Sequence, residues 1–119
     1  MAVVWEQIVI DAQRPRPLAR WWAEALGWIV TVDDDDEVEI RASAEALPGL
    51  LFVRVTDARV VKNRLHLDLR PDDQSAEVAR LVALGARRID VGQGDVSWVV
   101  LADPEGNELC VLSSRREPG

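Results

Sequence analysis

The sequence contains an internal repeat, in which the same order of predicted strands and helix occurs twice. This repeat limits the possible folds more than any other feature. Gln7 and His66 are 59 positions apart, and Gly27 and Gly85, each placed after a helix-like segment, are 58 positions apart. Each half reads as a strand, a helix and three more strands, over about 3–56 and about 62–113. A repeat this short rarely buries its own sheet face. We therefore predict an α+β fold: two βαβββ modules paired into an open, eight-stranded, cup-like mixed sheet with the helices outside.

Local signals set the element boundaries. In the first helix, Pro15–Leu26, the apolar residues recur at helical spacing and Gly27 provides the stop. Asp72 or Asp73 caps the second helix, and Gly85 ends it. The predicted strands are Val3–Asp11, Trp28–Val32, Val38–Arg41 and Leu50–Val55 in the first half, and Arg64–Leu69, Arg87–Asp90, Ser97–Leu101 and Glu108–Leu112 in the second.

Composition limits the class of protein. The 119 residues predict a single domain, and 48% hydrophobic with 29% charged residues is typical of a globular chain. A net charge of −7 argues against a nucleic-acid partner, which needs a basic face. No apolar run approaches the roughly 20 residues of a membrane span. The single cysteine, Cys110, fits a reducing compartment, so we predict a cytoplasmic protein without nucleic-acid or membrane partners.

Two predicted strands carry chemically active side chains on one face. Alternation along the first strand of the second half puts its leucines on one side and His66 and Asp68 on the other. In the last strand, Glu108 and Cys110 likewise share a face. A face with His and Glu on separate strands is what a metal or acid/base pocket in a curved sheet requires. An ordinary hydrogen-bonding histidine and a solvated strand-end carboxylate are the alternatives.

Three stretches resemble one known family. They are Trp21–Trp28, Asn63–Leu69 and Trp98–Glu108, and the hairpin Asp103-Pro104-Glu105-Gly106-Asn107-Glu108 is the most specific part. The chain resembles the glyoxalase-like domain of the vicinal oxygen chelate superfamily, which includes glyoxalase I, extradiol dioxygenases and bleomycin-resistance proteins. The resemblance covers nearly the whole chain. It speaks for the fold more than for a reaction, because this fold hosts both enzymes and pure binders.

The resemblance also implies a metal site. In this family the ligands come from the first and last strands of each unit, which here implies Gln7, His66 and Glu108 as metal ligands. The fourth position falls within Gly49–Val53, where no side chain can ligate. The three ligands suit Zn, Ni, Mn, Co or Fe(II), and a single histidine disfavours oxygen activation. Glu108 or a metal-bound hydroxide would then act as the catalytic base.

Two functions follow from the resemblance. One is a divalent-metal-dependent lyase or isomerase acting on a small oxygenated substrate, which the Gln7, His66 and Glu108 set favours. The other is a metal-free small-molecule binding protein of the bleomycin-resistance type, which the acidic charge and two tryptophans favour. The residues predicted to contact a ligand are Trp5, Arg54, Asp68 and Trp98. The resemblance further implies a homodimer.

Overall fold

The computed structural model describes residues 3–114, in which one order of elements, βαβββ, occurs twice. Between Ala58 and Arg59 the chain divides into two compact units. The first unit contains β1 (Gln7–Ala12), α1 (Pro15–Leu26), β2 (Ile29–Asp33), β3 (Glu37–Arg41) and β4 (Gly49–Arg54). The second unit contains β5 (Leu67–Leu69), α2 (Gln74–Leu84), β6 (Arg87–Arg88), β7 (Val99–Ala102) and β8 (Glu108–Val111). The predicted α+β class and the two βαβββ modules are confirmed.

Each unit forms a four-stranded mixed sheet with the same topology. The strand order is β1-β4-β3-β2 in the first unit and β5-β8-β7-β6 in the second, with β1–β4 and β5–β8 parallel. Ile8 pairs with Leu50, and Leu67 pairs with Leu109. Both partners of the second pair lie 59 positions after those of the first. The repeat predicted from the sequence is therefore confirmed to the residue in strand register.

The first unit buries the helix-facing side of its sheet against α1. Pro15 occupies the first turn, where its missing N–H costs nothing. Gly27 ends the helix in the left-handed region at φ 70°, and its N–H donates to the Ala23 carbonyl. Leu18 and Trp22 of α1 are buried. The large apolar residues buried on β3 and β4 are Val38, Ile40, Leu50 and Phe52, which alternate along each strand as a core on one side of the sheet requires.

The second unit is built in the same way with shorter strands. Asp73 caps α2, where its carboxylate accepts a hydrogen bond from the Ala76 N–H. Val78 and Leu81 of α2 are buried, as are Leu101, Leu109 and Val111 of the sheet. Within residues 3–114 neither helix exceeds 12 residues, so neither is long enough to cross a bilayer.

Two strands begin later than the apolar pattern predicts. β1 starts at Gln7 instead of Val3, and β5 starts at Leu67 instead of Arg64. The reason is where the partner strands begin, at Gly49 for β4 and at Glu108 for β8. The residues before Gln7 and before His66 therefore have no strand residue opposite them to pair with. Those earlier apolar residues are exposed, with Val3 at 77% and Leu65 at 84%.

Candidate functional site

The turn between β7 and β8 is built around one buried carboxylate. Asp103 is 1% exposed, and its Oδ1 accepts hydrogen bonds from the N–H groups of Glu105 and Asn107, both at 2.9 Å. The Asn107 side-chain amide donates to the same carboxylate, 3.0 Å from Oδ2. Gly106 adopts φ 89°, a value that non-glycine residues rarely take. The family-like hairpin motif is therefore a turn held by a charged acceptor.

The segment before β5 is fastened to this turn through Glu108. The Asn63 N–H donates to Glu108 Oε1 at 2.8 Å, and Arg59 Nη1 lies 3.4 Å from the same oxygen. The Asn63 side chain donates to Asn107 Oδ1 at 2.8 Å. We call Arg59, Asn63, Asp103, Asn107 and Glu108 the hairpin network. The Glu108 side chain is 4% exposed, so its carboxylate is buried among donors from its own unit.

The equivalent position in the first unit holds no ligating side chain. Gln7 pairs with Gly49, and both residues lie 59 positions before His66 and Glu108 respectively. We call these four residues the corner positions. A Cβ built on Gly49 would lie 3.2 Å from Arg41 Cγ and 3.4 Å from Arg41 Nε. The Arg41 side chain thus covers the corner that a fourth ligand would use.

Arg41 is held in place by acidic partners. Its Nε and Nη2 donate to Glu39 at 2.9 and 3.0 Å, and Nη2 also donates to Glu6 at 3.0 Å. The Thr31 hydroxyl donates to Glu39 Oε1 at 2.8 Å. The hydrogen bonds from Arg41 and then Thr31 lower the pKa of Glu39, although burial opposes this. The same ion pair raises the pKa of Arg41.

This ion pair predicts a pH dependence of stability. The pKa of Glu39 is lower in the folded state than its usual value of 4.5, so ionised Glu39 stabilises the fold at pH values above 4.5. This stabilisation is lost as the pH falls through the pKa of the folded state. At pH 7 we expect Glu39→Gln to cost about 1–2 kcal/mol. The stability difference between the wild type and Glu39→Gln, measured by urea unfolding, should shrink towards zero in acid. Glu37→Gln, an exposed change on the same strand, is the control; a difference independent of pH would contradict the assignment.

A second cluster lies on one face of the β5–β8 pair. His66 Nε2 is 3.1 Å from Asp68 Oδ1, and the potential ligand atoms of His66, Asp68 and Cys110 all lie within 4.8 Å of one another. Burial raises the pKa of the Cys110 thiol, and the adjacent Asp68 carboxylate raises it further. The thiol is therefore not activated as a nucleophile.

The structure places the remaining predicted site residues as follows. Trp5 precedes β1 and is 63% exposed, while Trp98 precedes β7 and is 39% exposed. Arg54 ends β4, five residues from Gly49, so it does not flank the corner. Instead it binds the Asp35 carbonyl and the Asp36 carboxylate beside a cavity of about 380 Å³ near the start of α1. Gln7 belongs to the first unit, and His66 and Glu108 belong to the second.

The arginines beside Gly49 and Glu108 were not predicted from the sequence as part of a site. Arg59 lies between the predicted modules, and Asn63 directly precedes the predicted strand Arg64–Leu69, where no role was predicted for its backbone N–H or its side chain. Arg41 was placed on a predicted strand but given no role. The available signal was the spacing of Glu39 and Arg41, which puts opposite charges on one face of a strand. Only the register of β3 with β4 shows that this pair reaches Gly49.

Comparisons with known proteins support the fold independently. The oxidase ChaP-H2 superposes with a TM-score of 0.67 at 16% identity, over 99% of this chain and 96% of that one. A bleomycin-binding protein from Streptomyces verticillus, complexed with copper(II)-bleomycin, gives 0.62 at 16% identity, over 97% and 99% of the two chains. The antibiotic-binding protein TnmS3 from Streptomyces sp. CB03234 gives 0.65 at 20% identity, over 96% and 98%.

At these identities the structural matches show a shared fold alone. No curated protein matches the sequence significantly. A family model described as a glyoxalase-like domain matches residues 7–112, which spans both modules and all four corner positions. With its twice-written βαβββ order and its hairpin motif, the chain belongs to the glyoxalase-like domain family.

Proposed function

We propose that this protein binds a small aromatic molecule and does so without a metal ion held jointly by Gln7, His66 and Glu108. The observation that carries this proposal is an arginine at the last-strand corner of each unit. Arg41 covers Gly49, and Arg59 Nη1 lies 3.4 Å from Glu108 Oε1. A guanidinium supplies the positive charge that a divalent cation would bring, and it repels such a cation. Glu108 and the space beside Gly49 therefore fit internal ion pairs better than they fit a metal.

The exposed tryptophans support an aromatic ligand. Trp5 and Trp98 keep 63% and 39% of their surface exposed, whereas Trp21 and Trp22 are buried beside one another with ring centroids 5.1 Å apart. Indole rings stack on flat ligands and attract cations through the ring face. The net charge of −7 favours a cationic ligand by long-range attraction.

The structural neighbours suggest a class of ligand to try first. Two of them bind antibiotics, and one of these is complexed with copper(II)-bleomycin. A third is a bleomycin-resistance determinant encoded on a transposon. We therefore propose that this chain also holds a small organic compound of the antibiotic type, with metal-free bleomycin as the first probe.

The test uses the full chain after metal removal by EDTA. Ethidium and bleomycin, both cationic, are titrated calorimetrically beside anilinonaphthalene sulfonate, an aromatic anion. We expect micromolar binding of at least one cationic probe, and about tenfold weaker binding for Trp98→Ala. Val82→Ala, at 42% exposure, is the matched control for loss of an exposed apolar side chain. No heat with either cation, or an equal response to the anion, would contradict the proposal.

A metal-dependent lyase or isomerase is the second candidate. His66 and Glu108 each directly precede one residue of the pair Leu67–Leu109. In the first unit, Gln7 and Gly49 directly precede the equivalent pair Ile8–Leu50 in the same way. This placement supports their use as ligands for Zn, Ni, Mn, Co or Fe. Elemental analysis of wild-type protein and Glu108→Gln tests it. A stoichiometric metal content in the wild type that is lost in Glu108→Gln would favour the enzyme. A negligible metal content in both proteins would exclude the metal-dependent enzyme.

Assembly and location complete the proposal. We propose a homodimer because the resemblance to the glyoxalase-like family implies one, and a cytoplasmic location because the single cysteine, Cys110, forms no internal disulfide.

A further inference from the structure

We propose that His66, Asp68 and Cys110 form a binding site for a zinc-class transition metal ion within the second unit. Their potential ligand atoms all lie within 4.8 Å of one another. Within residues 3–114, these three side chains form the cluster of His, Cys, Asp or Glu residues that could hold a metal ion. The site uses His66 but neither Gln7 nor Glu108. It therefore shares only His66 with the ligand set that the sequence implied, and one imidazole cannot serve both sites at once.

The backbone fixes the three side chains on one face. β5 and β8 run parallel, and Asp68 pairs directly with Cys110. His66 lies two residues before Asp68, so the alternation of side chains returns it to the same side. Its imidazole Nε2 reaches to 3.1 Å from Asp68 Oδ1. Leu109 lies on the opposite face of the sheet and is fully buried. The three polar side chains therefore lie on the face away from this apolar core.

The donor set selects the kind of metal. One imidazole nitrogen, one carboxylate oxygen and one thiolate sulfur are ligands of Zn²⁺ and Co²⁺, whereas Mg²⁺ and Ca²⁺ require oxygen donors. Metal–ligand bonds of about 2.0–2.3 Å in a tetrahedron put donor atoms about 3.3–3.8 Å apart, so the present spacing needs only small side-chain rotations. On binding, the Cys110 thiol forms the metal–sulfur bond and releases its proton to solvent.

The exposure of the site allows an ion to enter and an open position to remain. The His66 and Asp68 side chains are 38% and 51% exposed, while Cys110 is buried at the base. Three protein ligands with an exposed fourth position is the arrangement of zinc sites that keep a bound water. Glu108 has the opposite surroundings, since its buried carboxylate is occupied by Asn63 and Arg59. The inference goes beyond the proposed function, because it requires no organic ligand.

The test is a titration of metal-free, full-length protein with Co²⁺, followed by optical absorption, with competition by Zn²⁺. We expect one equivalent to bind with a sulfur-to-cobalt charge-transfer band, displaced by Zn²⁺. Cys110→Ser should abolish the band. Asp68→Asn, an exposed change that leaves the core intact, should weaken binding by about 100-fold or more. Asp95→Asn removes an exposed carboxylate elsewhere in the same unit and should change nothing.

Three results would overturn the proposal. The first is the absence of Co²⁺ binding by the wild type. The second is an affinity unchanged by Asp68→Asn, or a charge-transfer band that persists in folded Cys110→Ser. The third is loss of binding in Glu108→Gln with retention in Asp68→Asn, because this would put the metal at the corner positions. The aromatic probes are absent throughout, so the outcome is independent of the small-molecule proposal.

Discussion

Replacing Asp103 with alanine is expected to lower the free energy of unfolding by about 3–5 kcal/mol. The Asp103 carboxylate is 1% exposed and accepts from two backbone N–H groups and the Asn107 side chain. Alanine would leave these donors without an acceptor and would release Asn107, which in turn binds Asn63. The loss of stability should therefore extend from the turn to the segment before β5, which the hairpin network holds through Asn63.

Asp103→Asn is the matched control, because it keeps the shape and one acceptor oxygen but loses the charge. We expect it to retain about half of the stabilisation, since hydrogen bonds to charged groups are about twice as strong as neutral ones. Urea unfolding followed by circular dichroism measures both variants. If Asp103→Ala unfolds at the wild-type urea concentration, the turn does not depend on this carboxylate and the structural role assigned to the motif is wrong.

Phe52→Ala is expected to cost about 3–5 kcal/mol. Phe52 is fully buried at the centre of β4, where it pairs with Ile10 on one side and Val38 on the other, on the sheet face that α1 covers. Truncation removes the apolar area of the ring and leaves a cavity that the flanking strands cannot close.

Val9→Ala provides the comparison for Phe52→Ala on the opposite face. Val9 lies next to Ile10 on β1 and is 53% exposed. It should cost less than about 1 kcal/mol. Both variants are compared by urea unfolding with two optical probes, because each unit has its own sheet and a single probe could report on one alone. Equal losses would show that the helix-facing side of this sheet is not the core.

Much of the fold could be predicted because its signals are local. The bounds of α1 agree with the prediction at both ends, since a proline at the start and a left-handed glycine at the end act within a few residues. The repeat spacing predicted the register, because equivalent strands pair at equivalent positions. The predicted strand Arg87–Asp90 is shorter in the structure, where β6 has two residues; its ladder with β7 covers Arg87 and Arg88, and the Ile89 N–H then donates to the Val100 carbonyl at 3.1 Å.

The candidate site was less predictable because it depends on long-range contacts. The resemblance singled out His66 and Glu108, but nothing near them in the sequence showed that Arg59 and Asn63 would bind Glu108. Likewise, the position of Arg41 over Gly49 depends on strand register. The polar face predicted for His66, Asp68 and Cys110 did appear, because alternation along a strand is a local property.

The hairpin motif explains why a family can be recognised from the sequence while the chemistry is not. Asp103, Gly106 and Asn107 serve the turn itself, through a charged acceptor, a positive φ and a side-chain amide. These interactions stabilise the turn of this chain and involve no metal ligand. Members can therefore share the motif while the groups around Glu108 change the function.

Calorimetric titration of bleomycin or ethidium into EDTA-treated protein, repeated after adding Zn²⁺, tests most directly whether binding is independent of a metal at the corner positions. We expect the metal-free protein to bind the probe, and folded Glu108→Gln to bind it with the same affinity. Binding that appears only after Zn²⁺ is added, and that Glu108→Gln abolishes, would contradict it.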